Sequence, residues 1–248
     1  MIADAPVRRY ASVDSTNLEA QRLVAEGERG PLWIVADEQT AGRGRQGRNW
    51  ASLPGNLYST FILTLEGAAA TVPQLGFVVA LAVHDVASVY VAPERARLKW
   101  PNDCLVDGAK LSGILCEVFT QKPVTVGLGC GINVEHAPIG LAYPAAALSH
   151  FGKGPKLPDV FGLYQRALDY RFRQWSSGFP GIAAEWGSRA LGIGEEIVVT
   201  DGAARLQGQF SGLADDGAMI VDAAEGRRLV RAGDVTIPSL EALRRSSL

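Results

Sequence analysis

Lysine, histidine, cysteine and methionine are all scarce in this chain of 248 residues, and neither sign of charge dominates. The three cysteines, Cys104, Cys116 and Cys130, are odd in number and form no Cys-x-x-Cys. That argues against a disulfide framework or a zinc site and fits a reducing cytosol. Each lies in an apolar, strand-like stretch, which predicts a buried small hydrophobe. The histidines, His84, His136 and His150, are scattered, and His84 falls in an apolar helical pattern that suits packing or surface better than catalysis. No Ser-His-Asp or Cys-His arrangement is present, so no covalent enzyme intermediate is suggested. A basic excess is also missing. The 24 basic residues are offset by 26 acidic ones, net charge -2, which argues against duplex nucleic acid as the main partner. No secretory signal opens the chain, because Asp4, Arg8 and Arg9 interrupt any apolar run. The longest apolar segment, LGFVVALAVHDVASVYVA, is broken by His84 and Asp85 and reads as a buried helix, not a bilayer span. Internal repeats and low-complexity tracts are absent.

The hydrophobic content, 47%, suffices for one large domain with a small appendage. Ser15-Thr16-Asn17 precedes an amphipathic stretch, and Thr16 to Glu19 has capping-box spacing. LWIVA and NLYSTFILTL read as strands, and Pro73 to Val91 as a long helix. ARLKWPND gives a strand ending at Pro101, and DCLVDGAKLSGILCEVF a hairpin turning at Asp107-Gly108. VTVGLGCGINV is a further strand, expected to enter a tight glycine turn. Asp159 to Trp175 and Gly181 to Ala190 read as helices. Past Gly192-Ile193-Gly194 the style changes to short strands separated by Asp-Gly and Glu-Gly turns, the pattern of a small barrel-like domain. SLEALRRSSL closes the chain as a short helix or a frayed tail. The division expected is 1–191 and 192–248.

The stretch TAGRGRQGRNW holds three glycines and three arginines. Glycine lets backbone approach a ligand closely, and the arginine fork suits carboxylates and phosphates. Gly42, Gly44 and Gly47 satisfy G-x-G-x-x-G, but Pro54, Gly55 and Asn56 follow where that fingerprint needs a helix. A P-loop would need Lys then Ser/Thr after Gly47, and Arg48 and Asn49 stand there. An Arg-Gly nucleic-acid segment would sit in a basic low-complexity tract, and this is one short island.

Other polar clusters, Ser15-Thr16-Asn17, Gln39, KWPND, AKLSGI and GCGIN, fall near element ends, which can converge on one cleft. Each has a plain structural reading. Ser15 and Thr16 could be caps, Lys99 a snorkelling edge lysine, Pro101-Asn102-Asp103 a turn, and Lys110 a solvated hairpin residue. Gly127, Gly129 and Gly131 could be close-packed sheet glycines. Together they describe a polyanion site. Arginines and lysines would neutralise phosphate, and Asn102 and Asp103 could hold Mg²⁺ through oxygens. Residue chemistry alone stops at an anionic, phosphorylated ligand.

DSTN, ADEQTAGRGRQGRNW, KWPND, KLSGIL and GCGIN, in that order, resemble the catalytic part of the biotin–protein ligases. The resemblance covers nearly the whole chain and implies an α+β fold, a mixed sheet flanked by helices followed by an SH3-like β-barrel. It implies activation of biotin by MgATP to biotinyl-5′-AMP, then transfer to a lysine of a biotin carboxyl carrier protein domain of an acyl-CoA carboxylase. Biotin and ATP are then substrates, with Mg²⁺. The resemblance places biotin near Ser15, Thr16, Asn17, Gln39, Gly113, Gly129 and Gly131, under a loop containing Gly42, Arg43, Gly44 and Arg45. It places ATP near Arg45, Arg48, Trp50, Lys99, Asn102, Asp103, Lys110 and Asn133, with Asp103 toward Mg²⁺. Lys110, which would touch both the carboxylate and the α-phosphate, is the candidate catalytic residue with Arg48 and Lys99. DSTN begins at Asp14, which leaves no room before it for the DNA-binding domain of longer members. No specific DNA, no membrane, a cytoplasmic location, and a monomer or weak homodimer are therefore expected. A lipoate–protein ligase is the nearest enzymatic alternative, and a non-catalytic nucleotide- or RNA-binding module the alternative of another class.

Overall fold

The computed structural model describes residues 2–66, 71–141, 143–152 and 154–246. Its elements are β1 (Val7–Val13), α1 (Thr16–Ala25), β2 (Leu32–Gln39), β3 (Leu57–Leu65), α2 (Val72–Tyr90), β4 (Ala96–Lys99), β5 (Asp103–Val106), β6 (Ala109–Gln121), β7 (Val124–Ile132), α3 (Leu157–Ser176) and α4 (Phe179–Arg189). Then follow β8 (Glu196–Asp201), β9 (Ala204–Leu213), β10 (Met219–Ala223), β11 (Gly226–Val230), β12 (Asp234–Thr236) and α5 (Pro238–Ser246). The first seven strands form one mixed sheet in the order β1-β2-β3-β7-β6-β5-β4, parallel at β1–β2 and antiparallel elsewhere.

Side chains alternate across a strand, so each strand feeds two faces. Trp33, Val35 and Phe61 face the main core with α2 and α3, where Trp33 packs against Phe61, Phe161 and Tyr164. Ile34 and Ile62 face the other way, against Ala20, Leu23 and Val24 of α1. Helix α2 is apolar nearly all round and long enough by length and composition to cross a membrane, but it is largely buried among the other core elements. His84 on it is buried, within 3.1 Å of the Ala96 carbonyl.

Three local expectations differ from what forms. Ser15, not Thr16, is the N-cap of α1, and its side chain makes no capping bond. The Thr16 N–H instead donates to Oε1 of Gln39 (2.8 Å), so a neighbouring strand end satisfies the helix terminus. Gly129 and Gly131 do not form a tight turn. They lie within β7 at ordinary strand dihedrals, while the real two-residue turn is at Asp107 (φ 49°) and Gly108 (φ 78°). Strand β1 is unannounced in the sequence, because it is a sheet edge and most of its side chains are exposed.

The C-terminal strands form a five-stranded antiparallel sheet, β11-β10-β9-β8-β12, running between β11 and β12 as its two ends. Its inner face carries Ile197, Val199, Phe210, Met219 and Val221 into the main core cluster. Gly217 abuts the Phe77 ring of α2, so the two sheets share one packed interior. Helix α5 then returns to the first sheet. Leu240 is buried, and Leu240 and Leu243 lie against Gly108 of the β5–β6 turn.

Candidate active site

The β3, β6 and β7 segments that face away from the core carry little side chain at one end. Gly113 pairs with Gly131 across β6–β7, and Gly131 and Gly129 pair with Tyr58 and Thr60 of β3. Residues paired this way share a face. The result is a bare patch of backbone, and the cleft of about 340 Å³ sits over it. Its bareness is required. A Cβ at Gly131 would lie 2.6 Å from Nε1 of Trp50, and one at Gly113 would lie 2.7 Å from the same ring. Trp50 therefore lies flat on the glycines, with its indole N–H buried and unpartnered.

One end of the cleft is neutral and hydrogen-bonded. The N-terminus of α1 brings Ser15, Thr16 and Asn17 there, all buried. Asn17 Nδ2 donates to the Leu115 carbonyl (3.1 Å) and to Glu117 (2.7 Å), while its Oδ1 lies 2.6 Å from the Thr60 hydroxyl. Gln39 accepts from Thr16 and donates to Ser52 (2.9 Å). Arg43 approaches Glu117 at 3.6 Å. Side chains locked into each other in this way present fixed donors and acceptors to a neutral polar ligand.

The other end is charged. Lys110 Nζ lies 2.7 Å from Asp103, an ion pair without hydrogen-bond alignment, and within 5.5 Å of the Trp50 and Tyr143 rings. Arg45 reaches Asn102 (3.5 Å) and Arg48 forks onto Asp234 (3.0 and 3.3 Å). Burial pushes the Lys99 ammonium below its ordinary value, and repulsion from Arg244 and Lys110 adds to this against Asp103 and Glu241. Burial lowers Arg45 likewise. Unoccupied, this end holds cations in a partly dry place, a cost that an incoming anion would relieve.

Two residues expected in the site do not line this cleft. Gly42 stands behind the loop, where a Cβ would strike the Trp50 carbonyl, so its glycine serves the loop's close approach. Asn133 is buried behind Lys110. Its Nδ2 donates to the carbonyls of Lys110 (3.3 Å) and Ala146 (3.0 Å), so that amide holds backbone. The remaining expected residues line it, as do Tyr58, Tyr143, Asp234, Glu241 and Arg244, which carried no motif. Cys130 also reaches the wall, but burial pushes its thiol up to about 12, so it offers no thiolate nucleophile. Among the described residues no three His, Cys, Asp or Glu side chains group as a metal site. A single carboxylate, Asp103, beside Asn102 fits Mg²⁺ that arrives with a nucleotide's phosphates, since Mg²⁺ commonly uses one or two carboxylates plus substrate oxygens.

Residues 10–133 match the biotin/lipoate A/B protein ligase family, and residues 192–237 match the biotin protein ligase C terminal domain. The chain belongs to the biotin/lipoate A/B protein ligase family. Within that family it is 36% identical to a biotin–[acetyl-CoA-carboxylase] ligase of Paracoccus denitrificans, over 91% of this chain and 98% of the relative. A ligase of the same description from Mycobacterium tuberculosis is 34% identical, over 91% and 86%. The bifunctional ligase/repressor BirA of Bacillus subtilis is 31% identical, over 91% of this chain but 72% of its own length. Among solved structures, the biotin protein ligase of Aquifex aeolicus in complex with biotin and ATP superposes with a TM-score of 0.78 at 28% identity, covering 93% of this chain and 97% of that one. The family's mixed sheet with flanking helices and appended antiparallel sheet is the architecture found here.

Proposed function

We propose that this family member is a biotin–[biotin carboxyl carrier protein] ligase. The observation that carries the reading is the cleft's polarity: locked neutral groups at one end, five cations at the other, and no nucleophile between. In the first step a carboxylate oxygen of biotin attacks the α-phosphorus of ATP. The new P–O bond forms as the bond to the β-phosphate breaks, and pyrophosphate leaves. In the second, the neutral ε-amine of a carrier lysine attacks the anhydride carbonyl, forming an amide and releasing AMP and a proton. Neither step needs a covalent bond to the enzyme. The protein has to orient two anions and offset their repulsion.

Ser15, Thr16, Asn17 and Gln39 suit the ureido end of biotin, because their donors and acceptors are already fixed. Lys110, between the two ends, suits the carboxylate and α-phosphate. Lys99, Arg45 and Arg48 suit the phosphate tail, and Trp50 offers a flat ring to adenine. Mg²⁺, held through Asp103 and phosphate oxygens, would neutralise charge on the leaving pyrophosphate. Residues 1–191 would form the catalytic unit and 192–248 the accessory one. The same proposal includes a cytoplasmic location, a monomer or weak homodimer, and no sequence-specific DNA binding. A footprint on a discrete operator at physiological salt would contradict that last part.

The deciding test is ATP–pyrophosphate exchange with biotin, lipoate or no acid. Exchange that requires biotin is expected. Exchange driven by lipoate would make the chain a lipoate ligase, and exchange with neither would remove the ligase reading.

A further inference from the structure

Helix α5 lies beyond residues 192–237, the segment that matches the C-terminal domain, yet it forms part of the cleft wall. Its seat is well defined. Leu240 is buried, Leu240 and Leu243 pack on Gly108, and Arg244 Nε lies 3.3 Å from the Gly108 carbonyl. Gly108 is the turn of the hairpin that bears Asp103 and Lys110, so α5 is clamped to the strands that carry the charged end. Arg244 is only 17% exposed, and Glu241, one turn earlier, holds its Nη1 at 3.0 Å. Those contacts use Nε and Nη1. Nη2 takes part in neither and borders the same cleft as Lys99, whose ammonium feels Arg244 as a repelling charge. A folded chain gains nothing by crowding Lys99, Lys110 and Arg244 together unless an anion joins them.

We infer that Arg244 is a further nucleotide-binding residue, presenting its guanidinium Nη2 to the phosphate tail of ATP beside Lys99. This rests on the ligase reading for the identity of the ligand. It adds that the C-terminal helix completes the triphosphate end, a place no motif of the chain marks.

Two measurements keep this inference and the ligase reading apart. Calorimetric titration of MgATP needs no turnover. Arg244→Gln keeps a polar side chain of similar reach and should weaken MgATP binding about tenfold, or about 1.4 kcal/mol. Arg244→Lys should recover part of it, because charge returns without the fork. Biotin binding and the thermal midpoint should stay at wild-type values in both. Unchanged MgATP binding in Arg244→Gln overturns the inference. So does an equal weakening of MgATP and biotin with a lowered midpoint, which would make α5 only a structural wall. Pyrophosphate exchange on the wild-type protein reports separately on the ligase reading. Absent exchange with Arg244-dependent MgATP binding sinks the reaction and leaves the nucleotide site.

Discussion

Replacing Lys110 by alanine should separate chemistry from folding. The lysine's backbone is fixed independently of its ammonium: its N–H donates to the Pro144 carbonyl (2.8 Å), and its carbonyl accepts from the Ala146 N–H (2.9 Å). What is lost is one cation paired with Asp103 and lying by two aromatic rings. The two side chains are 16% and 21% exposed, so solvent screens the pair in part and its loss should cost roughly 1 kcal/mol or less of stability. That moves the thermal midpoint by about 2–4 °C in a chain of this size. The effect on rate should be far larger. A preorganised donor aimed at developing charge is worth about 2.7–4 kcal/mol, roughly 10²–10³ in rate. The assay is single-turnover formation of biotinyl-5′-AMP from α-labelled ATP, alongside a melting curve. A folded variant that adenylates within about threefold of wild type would show that Lys110 is a solvated partner of Asp103. Recovery of activity on adding Asp103→Asn would refute the reasoning in another way, by showing that Lys110 merely balances a carboxylate.

Gly131→Ala should displace Trp50, because the new Cβ would sit 2.6 Å from Nε1; a cost of about 1–3 kcal/mol is expected, with a lower midpoint and a shifted tryptophan emission. An unchanged emission spectrum would mean that Trp50 does not rest on the glycines in solution. Arg45→Gly should speed escape of biotinyl-5′-AMP more than it slows its formation, since it removes a ligand contact from a loop costly to order. Stopped-flow dissociation at the wild-type rate would contradict a clasp role. His84 is held below the ordinary histidine value of 6.5, chiefly by burial, so the unfolded chain binds the extra proton first. Its contribution is complete above about pH 6.5 and lost as pH falls through the folded value. The midpoint should drop between about pH 7 and 5, and His84→Gln should flatten that slope; an identical slope in the variant would assign the loss to other groups.

Much of the architecture is local and therefore readable in one dimension. β2, β3 and α2 announce themselves through periodicity, and Asp107-Gly108 through the positive φ that its turn demands. The charged loop, KWPND and Lys110 are legible for the same reason, since arginine, lysine and bare glycine are unusual in such density. Local chemistry could determine that these segments suit an anion. It could not determine which of them meet. Asn133 sits in a motif but turns inward to hold the backbone at Lys110, because a buried amide beside free carbonyls bonds them first. Gly129 and Gly131 look like turn glycines, and only the pairing of β3, β6 and β7 shows them as the floor under Asn17 and Trp50. Asp234 and Arg244 belong to no pattern at all. They reach the cleft because β12 and α5 pack back across the sheet, and contacts between residues so far apart in sequence are set by burial, which the order of residues does not display.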